Sequence, residues 1–366
     1  MLNLINYFFK AKWSVKPPKK NKFVLVDGNY NPFIKYIDKK KFTVLYRRGE
    51  EINLYIIFKC FLKLKLSTLD YCSEYIKHVS PKLILTAFDY HVIFYKLSQR
   101  TGIKTLMIQK GARTNAKGTI NKSNKYFPKN SKNLFYVDYV LLFNKSVKKF
   151  YSQKISGKFF EIGSFENNFK KHNFSQEKNE VIFISNYSPN KKDKCENEDV
   201  VAFHLNELAR KNNLMFNILP RFRKNPTILN LEKSYYEKVL KTNFKFIVNS
   251  NKSSYEIVEN YRFIFSTYST LAIECLAKGS RVGFIMIKSK KNPVYDFRFG
   301  SFEGLRQKGL FWTTLSRVNV REINRVFNFV TKTSYNSWIK KTKYYKEKTM
   351  KFDYKNKTFK EIIKKL

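Results

Sequence analysis

The chain has 366 residues, 43% of them hydrophobic and 17% aromatic. That excludes a disordered polyelectrolyte and is long for one domain but ordinary for two. Lys and Arg number 72 against 28 Asp and Glu, a net charge of +44. The surplus has two explanations: a polyanionic neighbour (nucleic acid, anionic lipid or a lipid-linked acceptor), or the Lys/Asn/Ile-rich drift of an AT-rich genome. It is scattered along the chain rather than gathered on one arm, so it does not choose between them.

No run approaches the ~20 apolar residues of a membrane-spanning helix. Residues 1–9 hold too short an apolar run for a secretory signal and are followed by Lys10, Lys12 and the lysines between 16 and 22. A short aromatic segment before cations fits a membrane interface or a frayed terminus. Cys60, Cys72, Cys195 and Cys275 have neither zinc-ligand spacing nor the pattern of a disulfide framework, which suits a reducing compartment. The expected location is therefore cytoplasmic, with peripheral contact on the inner face of the inner membrane where anionic lipid is available.

Apolar runs and helical patterns alternate along the first half. Strands are predicted at 23–27 and 41–46, helices at about 51–64 and 68–79, a strand at 82–88, a helix at 91–100 closed by Gly102, and strands at 105–109 and 139–143. The second half repeats this order. Strands at 181–185, 215–219, 244–248, 262–265 and 281–285 enclose helices at about 196–212, 229–242 and 270–277, and the chain from about 320 reads as helical. Such alternation implies parallel strands and right-handed crossovers, hence doubly wound α/β domains. The polar, aperiodic stretch 165–180 is the expected linker. The predicted division is 1–164, linker 165–180, second domain 181–319, and terminal helices over 320–366.

In parallel sheets, ligands bind beyond the carboxyl ends of strands. After the predicted strand 262–265, hydroxyls crowd the turn at Ser266, Thr267, Ser269 and Thr270 before a helix begins. Free N–H groups and the helix dipole make such a turn an anion site, and Glu274 one turn in can accept from ribose hydroxyls. The ordinary alternative is helix capping by Ser269 or Thr270, a Glu274–Lys278 pair and a Gly279 cap. Asp89 and His91 follow strand 82–88 and can act as nucleophile or base and as acid, or as caps. Gln109, Lys110, Gly111 and Arg113 could hold a sugar carboxylate, a phosphate or acceptor hydroxyls, or form a basic turn. Ser185 and Asn186 with Arg221 and Arg223 occupy the corresponding edge of the second half, either around a donor phosphate or in solvated loops. No Asp-x-Asp, His cluster, Walker loop or Gly-x-Gly-x-x-Gly is present, so no metal, no P-loop and no dinucleotide cofactor are expected.

Several motifs occur together: Asp89-x-His91-x-x-Phe94-Tyr-Lys-Leu97, Ile108-Gln109-x-Gly111-x-Arg113, Gly163-Ser164-Phe165-x-Asn167-Asn168, Ser269-Thr270-Leu271-x-x-Glu274-x-x-x-x-Gly279 and Gly309-x-Phe311-Trp312. In that order they resemble a family of bacterial O-antigen and surface-carbohydrate biosynthesis proteins, similar at fold level to transferases using CMP-linked acidic sugars such as Kdo. The resemblance covers about 80–340. It implies the GT-B fold: two Rossmann-like doubly wound parallel-sheet domains with an interdomain cleft. It further implies a metal-independent glycosyltransferase whose nucleotide sugar, a co-substrate rather than a cofactor, is held by Ser269, Thr270 and Glu274. The acceptor would be a lipid-linked or polysaccharide O-antigen, lipopolysaccharide or capsule chain held on the first domain. The chain departs from the family pattern at Tyr268, where an acid is usual, at Lys110, where Asn is usual, and at Leu219-Pro220-Arg221, where many such enzymes have His-Pro. The alternatives are a basic nucleic-acid-binding protein, which needs exposed aromatics, and an inactive scaffold at the membrane. Most aromatics lie in apolar runs, so nucleic acid is not the expected partner.

Overall fold

The structure is a computed structural model describing residues 11–28, 32–47, 50–89, 92–112, 127, 130–171, 178–189, 197–241, 244–248, 251–288 and 299–366. The chain forms two compact units. One comprises Met1–Lys110, Ser123–Glu166 and Lys355–Leu366; the other comprises Gly111–Lys122 and Asn167–Tyr354. The covalent path passes between them four times, at Lys110/Gly111, Lys122/Ser123, Glu166/Asn167 and Tyr354/Lys355.

The first unit opens with β1 (Lys12–Ser14), β2 (Phe23–Val26), β3 (Phe42–Leu45) and β4 (Glu51–Asn53), followed by helices α1 (Leu54–Leu62) and α2 (Thr68–Val79). Then come β5 (Leu83–Thr86), α3 (Phe94–Thr101), β6 (Thr105–Ile108), α4 (Ser131–Leu134), β7 (Tyr136–Leu142), α5 (Lys145–Ser152) and β8 (Ser156–Glu161). Six strands form one sheet in the order β3-β2-β5-β6-β7-β8, every pair parallel. The inner strands β2, β5 and β6 are buried at every residue and read as nearly unbroken apolar runs. Alternate side chains face opposite layers. Val24, Val26, Ile84 and Met107 pack with residues of α1 to α3, and Leu25, Leu83, Leu85 and Leu106 pack with Phe33, Phe165, Phe359 and Ile362. Phe359 and Ile362 belong to the terminal helix Lys357–Lys364.

The helix predicted over 51–64 begins later, because residues 51–53 pair in parallel with β1 and Asn53 caps α1 through its side-chain oxygen on the Ile56 N–H. A pairing partner some forty residues upstream leaves no periodic trace. Strand β8 was not anticipated either, since its residues are half-buried or exposed at the sheet edge.

The second unit contains β9 (Lys178–Ile184), α6 (Glu198–Lys211), β10 (Phe216–Leu219), α7 (Pro226–Leu240), β11 (Phe244–Phe246), α8 (Ser254–Val258), β12 (Tyr261–Ser266), α9 (Thr270–Lys278), β13 (Arg281–Ile287) and β14 (Trp312–Leu315). Two long helices, α10 (Val320–Lys332) and α11 (Tyr335–Thr349), complete it. The sheet order is β11-β10-β9-β12-β13-β14, all parallel. The chain starts at β9, winds outward through β10 and β11, and returns to the other side of β9 at β12. This is the 3-2-1-4-5-6 order of the Rossmann fold, with its direction reversal beside β9.

Local chemistry sets the element ends. Asn225 caps α7 on the Ile228 N–H with Pro226 in the first turn, and Ser253 with Glu256 closes a reciprocal capping box on α8. Gly279 ends α9 at φ +105°, a left-handed conformation that costs a residue with a Cβ about 1–2 kcal/mol. Its carbonyl accepts the indole N–H of the fully buried Trp338 at 3.2 Å, which fixes α11 against the end of α9. Among the described residues, no helix is long and apolar enough to cross a membrane.

Candidate functional site

Ile184 pairs with Leu219 on one side and Ser266 on the other, so β9, β10 and β12 end level with one another. The three loops that leave these ends, beginning at Ser185, Pro220 and Thr267, therefore emerge side by side where the winding reverses. They enclose a cavity of about 750 Å³ lined by Ser185, Asn186, Arg221, Ser269, Thr270 and Glu274, among others, with Pro189, Phe222, Ile228 and Leu271 as apolar wall. That volume lies within the range of small-molecule sites.

Helix α9 opens into this cavity. Ser269 takes the N-cap position at φ −64° and ψ 134°, yet its side chain makes no capping hydrogen bond. Its N–H donates to Ser266 Oγ at 3.2 Å instead. By helix geometry the first-turn N–H groups have no carbonyl partner within the helix, and the dipole adds positive potential at the same point. Thr270 Oγ1 accepts the Ala112 N–H, of the same compact unit, at 3.4 Å.

Glu274 is not the partner of Lys278. Its carboxylate accepts the Tyr255 hydroxyl at 2.9 Å, and Lys278 pairs with Glu259 at 2.6 Å. The main-chain oxygen of Glu274 accepts the Asn167 side-chain amide at 2.8 Å. Capping and i,i+4 pairing thus fail to account for either Ser269 or Glu274, whereas both line the cavity.

A polar network backs the other two loops. Glu198 Oε1 accepts the Asn186 N–H at 2.8 Å and the Tyr236 hydroxyl at 2.6 Å, and the same hydroxyl lies 3.0 Å from Ser185 Oγ. Glu232 accepts the Arg221 N–H at 3.0 and 3.1 Å and the Phe222 N–H at 3.4 Å. Burial pushes the Glu198 carboxyl up from 4.5 to about 7, against the lowering effect of its hydrogen bonds from Tyr236 and the Asn186 N–H. Burial also raises Glu232 and moves the Tyr236 phenol well above its ordinary value. Asn186 completes the layer by donating to Thr267 Oγ1 at 2.9 Å and Ser266 Oγ at 3.3 Å.

Several predicted site residues have other tasks. Ser266 is buried, donates to the Ile184 carbonyl at 3.1 Å and supports the turn from beneath. The Arg223 guanidinium holds the Lys252 carbonyl at 2.9 Å and Ser254 Oγ at 2.8 Å, and is not among the cavity-lining side chains. Arg221 does line it, over the Phe222 ring at 5.2 Å.

In the first unit, Asp89 is 1% exposed; its Oδ2 accepts the Tyr151 hydroxyl at 3.0 Å, and its carbonyl accepts the Tyr95 and Tyr151 hydroxyls at 2.9 Å each. That is the geometry of an internal brace rather than of a solvent-facing base. Gln109 is also buried, with its side-chain oxygen on the Phe143 N–H at 2.8 Å. Lys110 is exposed, its ammonium 5.7 Å from the centre of the Phe88 ring, and Gly111 has φ +87°. His91, Arg113 and Cys195 lie outside the described residues.

Sequence reasoning missed Tyr255, Glu198, Glu232 and Tyr236, and gave Asn167 no task beyond its place in a shared motif. For Tyr255 a signal existed: the Ser253-x-x-Glu256 box announces the helix that carries it. Phe311 and Trp312, from the last shared motif, are buried in the core. Phe94, Phe135, Phe183, Phe216 and Phe327 are likewise fully buried, whereas Phe58, Phe61, Phe203 and Tyr344 are exposed. Among the described residues, no three His, Cys, Asp or Glu side chains come together as metal ligands.

The architecture is shared with solved glycosyltransferases of the GT-B fold. The wall teichoic acid polymerase TagF matches at TM-score 0.52 and 13% identity, over 96% of this chain and 89% of that one. Acinetobacter baumannii MurG matches at TM-score 0.51 and 11% identity, over 95% and 100%. Against a chain of the GtfA/B complex, at TM-score 0.44 and 11% identity, the match covers 82% of this chain and 60% of that chain's length. At such identities the likeness shows the fold alone. Among curated proteins, none matches the sequence. A family model described as "putative O-antigen biosynthesis protein" matches residues 106–366, most of the chain and the whole of the cavity, and the protein belongs to that family.

Proposed function

We propose that the second unit binds a nucleotide-sugar donor and that the protein transfers the sugar to a bacterial surface-carbohydrate acceptor, a lipid-linked or polysaccharide chain. The observation that carries this reading is the cavity at the reversal point of the sheet, where a helix start without a side-chain cap, Glu274 and Arg221 converge. The GT-B fold and the family description support it.

The donor phosphate lies on the first-turn N–H groups of α9, with Ser269 Oγ as a further donor and Arg221 as counter-charge. Preorganised dipoles of this kind stabilise a leaving group as its negative charge develops and need no reorganisation. They can take the part a metal ion plays elsewhere, so transfer is metal-independent in this proposal. The Glu274 carboxylate, held by Tyr255, accepts from a ribose hydroxyl in this proposal, and Pro189, Phe222 and Leu271 exclude water from the base. A CMP-linked acidic sugar is the donor suggested by the sequence resemblance. Asp89 serves as a brace of its loop, and the acid–base role in this proposal falls to His91.

Thermal shift with CMP-, UDP-, GDP- and dTDP-linked sugars tests the reading, because a ligand bound only to the native state raises the melting temperature. One class should stabilise the wild type. Ser269→Ala and Glu274→Gln should each weaken that binding about tenfold, the scale of one charge-assisted hydrogen bond. Affinity unchanged in both variants would remove the assignment, and donor binding without hydrolysis or transfer would favour the inactive scaffold.

A further inference from the structure

We propose that helix α1 and the turn after it dock this protein on an anionic lipid surface. A surface helix normally turns its apolar stripe inward. Here Leu54, Ile57, Phe58 and Phe61, at i, i+3, i+4 and i+7, form an outward stripe exposed to 38, 37, 60 and 60%. Only Ile56 and Cys60 are buried from this helix. The apolar surface continues past its end through Leu62, Leu64 and Leu66, exposed to 66, 85 and 70%. Scattered single apolar residues on a surface are ordinary; a contiguous run of seven marks an interaction site.

The chain beside the helix start adds to it. Asn53 donates to the Lys16 carbonyl at 2.9 Å, which holds Val15, 72% exposed, next to Leu54. Lysines rim the patch. Lys59 lies 4.8 Å over the Tyr55 ring and 3.4 Å from His78, whose pKa is lowered by burial and by the nearby charges of Lys59 and Lys20. Lys16, Lys63 and Lys65 are exposed around it. Three neighbouring acids are engaged by a cation, Glu74 by Lys63 at 2.8 Å, Asp70 by Arg100 at 2.6 Å and Glu51 by Lys12 at 3.7 Å, while Glu50 is exposed.

This combination selects the occupant. A second copy packed face to face would set lysine against lysine, because a two-fold contact repeats the same patch on both sides. A nucleic acid would pair the lysines but has no use for a stripe dominated by Leu, since bases stack on aromatic rings. An anionic bilayer satisfies both features, with acyl chains for Leu and Phe and headgroup phosphates for Lys. Nine residues of helix extend roughly 14 Å, too short to span, so α1 lies in the plane of the interface.

The test is co-sedimentation of the full chain with phosphatidylcholine vesicles and with vesicles that also contain phosphatidylglycerol. The protein should partition onto the anionic vesicles, less at high salt. The double variant Phe58→Ser/Phe61→Ser should bind them at least about tenfold more weakly. Both side chains are exposed, so its melting temperature and nucleotide affinity should match the wild type, and these readouts keep this test separate from that of the donor site. Absent partitioning, or equal partitioning of wild type and double variant, overturns the proposal. So does a variant that alters only the oligomeric mass or only binding to an oligonucleotide.

Discussion

The carboxyl of Glu198 offers a quantitative check on the network behind the cavity. Its pKa rises from 4.5 to about 7, chiefly through burial. In that window the native state holds a proton that the unfolded chain has released, so stability is fully present below about 4.5 and falls as the pH climbs to about 7. At about 1.4 kcal/mol per pKa unit the loss is ~3 kcal/mol. Glu198→Gln removes the titration. The amide oxygen can still accept from the Asn186 N–H and the Tyr236 hydroxyl, and its nitrogen faces Thr267 Oγ1, now 3.5 Å from Oε2. The titratable groups around it are Glu232 and the Tyr236 phenol, which stays neutral because its pKa lies well above the window; Glu232, also raised by burial, supplies any dependence that survives. Thermal unfolding of wild type and variant from pH 5 to pH 8 should show the gap in melting temperature widening in the variant's favour, by roughly 6–12 °C for a domain of this size. Curves that run parallel would refute the account of a protonated Glu198 under the site.

Two further substitutions separate roles that the sequence left merged. Arg221→Ala should reduce nucleotide affinity roughly three- to tenfold by removing a counter-charge at the cavity. Arg223→Ala should leave affinity alone but lower stability by about 1–2 kcal/mol, through loss of the bonds to Lys252 and Ser254; calorimetric titration and thermal unfolding read the two effects. Gly283→Ala should also destabilise, by about 1–3 kcal/mol, because a Cβ there would lie 2.5 Å from the Phe265 ring. Phe265 is itself stacked on Phe327 at 5.5 Å and has little room to yield, so a melting temperature unchanged in that variant would contradict the packing described.

The sequence alone determined the features written within a few residues of one another. Runs such as Phe23–Val26 and Arg281–Ile287 announce strands buried on both faces, and Gly279 announces a helix end, because burial periodicity and capping act over one or two turns of chain. The crowded hydroxyls before α9 were legible for the same reason, and so were two α/β domains. Only the tertiary structure decided which of these residues face the cavity. Glu274 meets Tyr255 rather than Lys278, and Glu198 joins Asn186 to Tyr236. Asp89 and Gln109 turn inward to Tyr151 and to the Phe143 N–H. Each partner lies from 12 to 62 residues away in sequence, brought near by the pairing of parallel strands. A charged or polar side chain carries no local mark of the partner that folding will supply, so its identity could be read early and its task could not.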